Sequence, residues 1–283
     1  MIEWILVNGE DLQFAVFFGA LLVFGMLEAR APAQTSARVQ TARRLRWTHN
    51  FTLTALNIVA LGALPLSGLI AAAYADSRSI GLLNEYATPA WLALLATLLA
   101  RSFVSYIIHL CNHHIPLLWR FHRVHHSDPV LDISTTVRFH PAELAVSALP
   151  VLATIVALGL PAWALLVYEI LDAGVNVFTH ANVRLPDRLN RLLCYVFVTP
   201  AMHRVHHSSR MLETNSNFGA VFSFWDRLCG TYVSRTPSEL AELPIGLEYW
   251  DEDWRQSFWW LLGSPVWTPV AKSGPLVDRK VSL

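Results

Sequence analysis

The sequence predicts an all-α integral membrane protein, a bundle of about four or five transmembrane helices with a cytoplasmic helical cap. Three observations predict it. Hydrophobic residues make up 54% of 283 positions, charged residues only 15%, and mean hydropathy is +0.39; a soluble domain averages about 25% charged. Four long apolar runs divide the first 180 residues. Between and after them stand histidines in repeated helical spacing. Formal net charge is zero, so there is no bulk electrostatic case for nucleic acid. Cys111, Cys194 and Cys229 lie far apart and form no CxxC, which argues against a disulfide scaffold or a thiolate zinc ribbon.

The N-terminal "MIEWILVNGEDLQ" has three acids and no basic residue, unlike a cleaved signal peptide. Leu12–Leu27 is sixteen residues without a charge and needs flanking residues to reach the roughly 20 of a span. Phe51–Ala75 has no charge and reads as the second span; Trp91–Leu110, apolar except for Arg101, reads as the third. The loop between the first two holds Arg30, Arg38, Arg43, Arg44 and Arg46, whereas the 76–90 connection has only Arg78. Basic residues favour the cytoplasmic side. The 28–50 loop is therefore expected inside, and the third span delivers His109 and the residues beyond it to that same side.

The run Leu144–Leu171, broken in charge only by Glu169, decides the topology. One long helix would put residues on either side of it on opposite faces of the membrane. "LGLP", with Gly159 and Pro161, offers a turn instead. Arms 144–160 and 161–178 are each about 18 residues, roughly 27 Å of helix, close to a hydrocarbon core of about 30 Å. Pro161 suits the first turn of the second arm. The last hundred residues are polar; "LNRLLCYVFVTP" and "FWWLLGSPVW" are short, apolar and suited to the interface.

Twelve histidines carry the chemistry. His49 stands alone in a polar loop. His109 and His113 are spaced i, i+4 and share a helical face, with His114 turned elsewhere. "FHRVHHSDP" supplies His122, His125 and His126, and "MHRVHHSSR" repeats the HxxHH spacing with His203, His206 and His207. Each copy places three imidazoles toward one face, so the two copies suit two metals. His180 closes the fifth helix, one turn after Asn176. Nine imidazoles, His109, His113, His122, His125, His126, His180, His203, His206 and His207, exceed the four ligands of a structural zinc. They suit two metals of high coordination number with open positions, and imidazole suits iron among others. Asn176 either completes the set, directly or through water, or is a satisfied polar residue near a helix end. Two redox metals beside a bilayer point to O₂-dependent attack on a lipid C–H bond, giving an alcohol or an alkene.

The order and spacing of "SFVSYIIHLCNHHIPLLWRFHRVHHSD", "RFHPAE", "VFTHANVRLP", "TPAMHRVHHS" and "NFGAVFSFWDRLCGTY", with "SPVW" near 264–267, resemble the fatty acid hydroxylase superfamily, also called the sterol desaturase family. The resemblance covers roughly 101–233. It implies histidine-bound iron, two ions per chain, the nine histidines above as ligands, O₂, and a separate electron donor of ferredoxin or cytochrome b5 type. It places His140, Asn217 and Asp226 near the site as supporting or structural residues. The sequence departs from the pattern at Ser102, where relatives carry an acid, at Tyr106-Ile107, where they carry Tyr-Trp, and at Leu110, where an Arg is common. For the last motif two readings stand side by side. Either Asp226 hydrogen-bonds a ligand histidine, or the segment packs Phe222, Trp225 and Leu228 against the bundle.

The chain is thus expected to be one integral membrane domain, 1–283. It comprises N-terminal membrane helices (1–100), a di-metal core (101–233) and an interfacial tail (234–283). The expected function is hydroxylation or desaturation of a lipid such as a sterol or fatty acyl chain. A zinc-dependent membrane hydrolase would need a carboxylate among the ligands, as in HExxH, and none of the His motifs has one. A non-catalytic metal-binding or transport protein would carry charges along the spans; only Arg101 and Glu169 lie within the apolar runs. Nineteen arginines against Lys272 and Lys280, with abundant Ala and Leu, suggest a bacterial inner-membrane protein.

Overall fold

The computed structural model describes residues 2–34, 43–64, 67–248, 250 and 253–267. Arg38, Lys272 and Lys280 lie outside them, as does the tail from 268. Among the described residues the protein is helical, with isolated bridges such as Pro32–Val183 in place of strands. The helices are α1 (Ile2–Arg30), α2 (Arg43–Gly62), α3 (Gly68–Ser77), α4 (Leu82–Glu85), α5 (Ala90–His114), α6 (Pro116–His126), α7 (Pro141–Leu158), α8 (Ala162–His180), α9 (Asp187–Leu193), α10 (Pro200–His206), α11 (Met211–Thr214), α12 (Phe224–Leu228), α13 (Pro237–Ala241) and α14 (Phe258–Trp267).

Four helices are long and apolar enough to cross a membrane: the Val7–Arg30 part of α1, α5, α7 and α8. Their exposed surface is apolar, as at Phe14, Phe18, Leu95, Leu149 and Val167. α1 packs along α8, and α5 packs against both α7 and α8. At the end away from the histidines, Ile5, Leu69, Ile155, Leu160 and Leu165 form the apolar core.

The turn expected at 159–161 is present. Gly159 adopts φ +64°, and the Leu160 and Gly159 amides donate to Ile155 and Val156 carbonyls, the Schellman way of ending a helix. Pro161 stands just before the first helical residue of α8 rather than within its first turn. The two arms splay, with α3 and α5 each packing against both.

The single span expected over Phe51–Ala75 is corrected. It is two helices, α2 and α3, separated by "ALPLS" between Gly62 and Gly68. The reason is polar. Thr54 Oγ1 donates to the Val137 carbonyl (3.1 Å) and Asn57 Nδ2 to that of Phe139 (2.9 Å), so α2 lies along the cap. The chain nevertheless passes from one end of the bundle to the other here. α2 starts bonded to Asp128 in the cap, and beyond α3 the backbone of Gly81 sits against Gly159 at the far end.

The lock between α2 and the cap is ionic. Arg46, 2% exposed, donates to both Asp128 oxygens (2.7 and 2.9 Å) and to Asp132. Asn50 and Arg138 complete the network: Arg138 Nη1 donates to Asn50 Oδ1, and Asn50 Nδ2 to Asp128 Oδ2. Arg46, read from sequence as one of five interfacial cations, is therefore an internal one. α14 closes the cap by packing Leu261 on Leu53 and Val124, leaving Trp259 and Trp267 exposed.

Candidate metal centre

Local sequence explains each side chain's position. The last two turns of α5 present His109 and His113. Ile115 is extended (φ −93°, ψ 115°), as a residue before proline prefers, and Pro116 starts α6 with its fixed φ. α6 then carries His122, His125 and His126. His180 is the last residue of α8. Thr199 accepts the Met202 amide and Pro200 begins α10, which carries His203 and His206, with His207 at its end.

The structure brings all nine histidines together in two buried groups. His109, His113, His122, His126 and His206 form one; His125, His180, His203 and His207 form the other, with ring nitrogens in each within 4.8 Å of one another. His49 and His114 belong to neither, and the His114 ring folds back onto the Leu110 carbonyl. Each HxxHH copy is divided, which differs from one copy serving one metal. His122 and His126, at i and i+4, enter the first group while His125 enters the second; His203 and His207 enter the second while His206 crosses into the first. Three residues at i, i+3 and i+4 cover roughly 100° of a helix, wide enough to serve two neighbouring centres. The groups touch: the rings of His126 and His207 stack at 4.5 Å.

The donor geometry fits a cation. Nε2 atoms approach as pairs, His109–His122 at 3.1 Å, His122–His126 at 3.2 Å, His180–His203 at 3.0 Å and His203–His207 at 3.1 Å. Metal–imidazole bonds of about 2.1 Å meeting at right angles put neighbouring nitrogens about 3 Å apart. Nε2 of His113 and of His206 is buried with no hydrogen-bond partner.

Outer contacts set the tautomers. Nδ1 of His109, His180 and His206 donates to the carbonyls of Phe218 (2.9 Å), Asn176 (2.8 Å) and Ser216 (2.7 Å). Nδ1 of His122 donates to Glu143 Oε1 at 2.6 Å, and Nδ1 of His113 meets Asn215 Oδ1 at 3.3 Å. Each such bond leaves Nε2 as the lone-pair donor. Phe139 stacks on His125 at 4.5 Å, and Phe218 packs against His109, His113 and His206. Glu143, Asn215, Phe139 and Phe218 are not marked out by sequence spacing. Glu143 had a visible signal, an acid in the first turn of an apolar helix directly after "RFHP".

Burial, with mutual repulsion among the imidazoles, pushes His125, His126, His203 and His207 well below the ordinary histidine value. Burial pushes His206 down to about 3, against the pull of the Ser216 carbonyl. These rings are neutral at physiological pH, the form that ligates.

The four supporting residues named from sequence have distinct places. His140 caps α7, accepting the Ala142 amide and donating to the Leu262 carbonyl, and touches no clustered histidine through hydrogen bonds. Asn217, at φ +56°, clamps Met202 and Val233 backbone between the two carbonyl-bearing residues Ser216 and Phe218. Asp226 hydrogen-bonds no histidine; it accepts the amides of Phe218 (2.7 Å) and Gly219 (2.9 Å) and so shapes the loop that meets His109. Of the three residues expected to pack beside it, Phe222 and Trp225 do, while Leu228 is 73% exposed. Trp225 Nε1 donates to Ser102 Oγ (3.0 Å), so Ser102 keeps a partner at the position where an acid was expected. Asn176 gives its backbone carbonyl to His180, and its Oδ1 is buried with no partner.

Comparison with protein families matches residues 94–231 to the fatty acid hydroxylase family. The chain belongs to the fatty acid hydroxylase family. The matched segment holds all nine clustered histidines and Glu143. An ornithine lipid hydroxylase of Rhizobium tropici is 33% identical over 154 residues, 53% of this chain and 44% of that protein. An alkylglycerol monooxygenase of Caenorhabditis elegans is 30% identical over 132 residues, 47% of this chain and 25% of its own length. Human cholesterol 25-hydroxylase is 28% identical over 140 residues, 49% and 50% of the two chains. The chain thus spans half or less of the length of each of these relatives. No solved structure matches the chain.

Proposed function

We propose that the protein is an O₂-dependent lipid hydroxylase holding two iron ions, one in each histidine group. The observation that carries this reading is the pair of imidazole groups at one end of an apolar bundle. His109, His113, His122, His126 and His206 would hold one ion. His125, His180, His203 and His207 would hold the other, with Asn176 Oδ1 as a further donor directly or through water. Bound iron supplies the redox chemistry: O₂, a lipid C–H bond, two electrons and two protons yield an alcohol and water. The chain's own residues keep the imidazoles neutral, orient them through Glu143, Asn215 and backbone carbonyls, and exclude water with Phe139 and Phe218. The relatives' names speak of hydroxylation and mono-oxygenation of lipids, which favours an alcohol over an alkene. They suit an ornithine lipid, an ether lipid, a sterol or an acyl chain as substrate.

Electrons come from a separate protein, since three free cysteines cannot hold a four-cysteine cluster. Positive charge after the first span favours a cytoplasmic site in a bacterial inner membrane. Lipid mass spectrometry of cells with and without the protein is the test. A lipid gaining one oxygen is expected, and it should vanish with either His125→Ala or His206→Ala. Purified protein should carry about two metal ions per chain. One zinc per chain, with activity surviving both substitutions, would overturn the reading.

A further inference from the structure

Beside the histidine groups lies a cavity of about 540 Å³ that the oxidation chemistry does not use. Five arginines line it, Arg184, Arg191, Arg204, Arg227 and Arg235, against one acid, Asp187. Two of the five are neutralised: Arg184 faces Asp187 at 3.6 Å, and Arg235 Nε donates to Glu213 at 2.7 Å. Arg191, Arg204 and Arg227 have no carboxylate within ion-pair distance among the described residues.

Arg204 is the decisive one. It is 5% exposed, its Nη2 is fixed by Asn182 Oδ1 (3.1 Å), and its Nη1 has no hydrogen-bond partner. Burial brings its guanidinium down to about 10, which leaves it charged at neutral pH. Leaving a buried charged N–H unpaired carries a large desolvation penalty, so the position is built for a partner the chain does not supply. Arg227 is held as rigidly, 3.9 Å over the Tyr232 ring, with Nη1 bonded to the Ser223 carbonyl and hydroxyl. Guanidinium forks match the oxygens of phosphate and carboxylate.

The cavity's depth says where such a group comes from. Ala33 and Gln34 line it just past the end of α1, and Val183 just past the end of α8, so it opens where two crossing helices leave the apolar slab. Its rim on and after α9 is apolar and exposed at Leu189, Leu192, Tyr195 and Val196. Polar lining with an apolar rim at that level is the setting of a lipid headgroup. On α10, Arg204 follows His203 by one residue, about 100° round the helix. A group held there lies beside the second histidine group and outside it.

We propose that this cavity binds a phosphate or carboxylate anion through Arg191, Arg204 and Arg227, with a lipid headgroup as its source. The binding stands whether or not the oxidation reading does, and its test reads binding alone. The full chain would be placed in phosphatidylcholine nanodiscs with or without phosphatidylglycerol, and separately titrated with inorganic phosphate and with acetate. Retention of lipid by native mass spectrometry and the thermal midpoint would be followed in each case. Preferential retention of phosphatidylglycerol, reduced at least tenfold in Arg204→Gln and Arg227→Gln but unchanged in Arg188→Gln outside the cavity, is expected. A response to phosphate or acetate alone, lost in the same variants, supports the anion site and moves its source to solution. No response to any of the three probes, or one that Arg204→Gln and Arg227→Gln leave intact, overturns the proposal. Metal content of the variants, expected to match the parent, separates loss of binding from loss of fold.

Discussion

The two histidine groups differ in how their rings are held. In the first, four of five imidazoles have Nδ1 bonded outward, to Phe218, Asn215, Glu143 and Ser216. In the second, His180 alone is so held, while Nδ1 of His125, His203 and His207 has no partner. Outer hydrogen bonds of this kind are typically worth about 10–100-fold in metal affinity. The second group should therefore release its metal first to a chelator, seen as two phases in metal content against chelator concentration. Glu143→Gln removes the carboxylate behind His122. It should weaken the first group about tenfold and reverse or erase the order of release; an unchanged titration would show that Glu143 plays no such part. Gly219 belongs to the same scale. A Cβ there would meet the Phe222 carbonyl at 2.6 Å and Asp226 Oδ2 at 2.8 Å, within the loop that carries the Phe218 carbonyl to His109.

Among the elements, the turn between α7 and α8 and the lock on α2 bear most of the architecture. Gly159 is left-handed, and a Cβ would also press on the Ile80 carbonyl at 2.9 Å. Gly159→Val should lower stability by about 1–3 kcal/mol through strain at that backbone position, read as a drop in thermal midpoint in detergent. A midpoint within error of the parent would mean that the turn relaxes freely. The α2 lock is heavier. Arg46→Met leaves Asp128 and Asp132 buried without their cation, a loss of about 3–5 kcal/mol. Its pH dependence has a definite sign. Burial alone would raise the Asp132 carboxyl, but Arg46, the Trp47 indole and Ser134 hold it below its usual 3.8. The stabilisation is therefore complete above about pH 4 and is lost as pH falls below it. Acid unfolding of the parent should steepen below pH 4, and Arg46→Met should flatten that limb.

At the scale of the molecule, the two histidine copies meet, so residues on either side of the α7–α8 turn share one face of the membrane. Topology reporters on chains truncated after residue 135 and after residue 215 should report the same compartment; opposite compartments would refute the arrangement. The broken α2–α3 crossing adds a constraint. Irregular backbone at membrane depth is tolerated where protein covers it, and α3 packs against α7 and α8 there. The ion pair of Arg101 with Glu169 (3.5 Å) joins α5 to α8 inside the bundle, which accounts for both charges within the apolar runs without a transport path.

Much of this was legible before any coordinates. Apolar runs above the length of a span mark crossing helices because hydrocarbon tolerates no unpaired backbone. Repeated HxxHH marks ligands because i, i+3 and i+4 converge on a helix. The turn at Gly159 followed from needing both copies on one side. Three things were not legible, each for a physical reason. The second span broke because Thr54 and Asn57 found backbone carbonyls in the cap, partners some 80 residues away that no local hydropathy reveals. Glu143, Phe139 and Phe218 joined the site because the α5–α8 packing brings them to the imidazole rings, and single residues carry no spacing to detect. The sorting of the histidines into five and four depended on how α6 and α10 face each other. Periodicity tells which side chains share a face of one helix; where that face points is set by the helices packed against it.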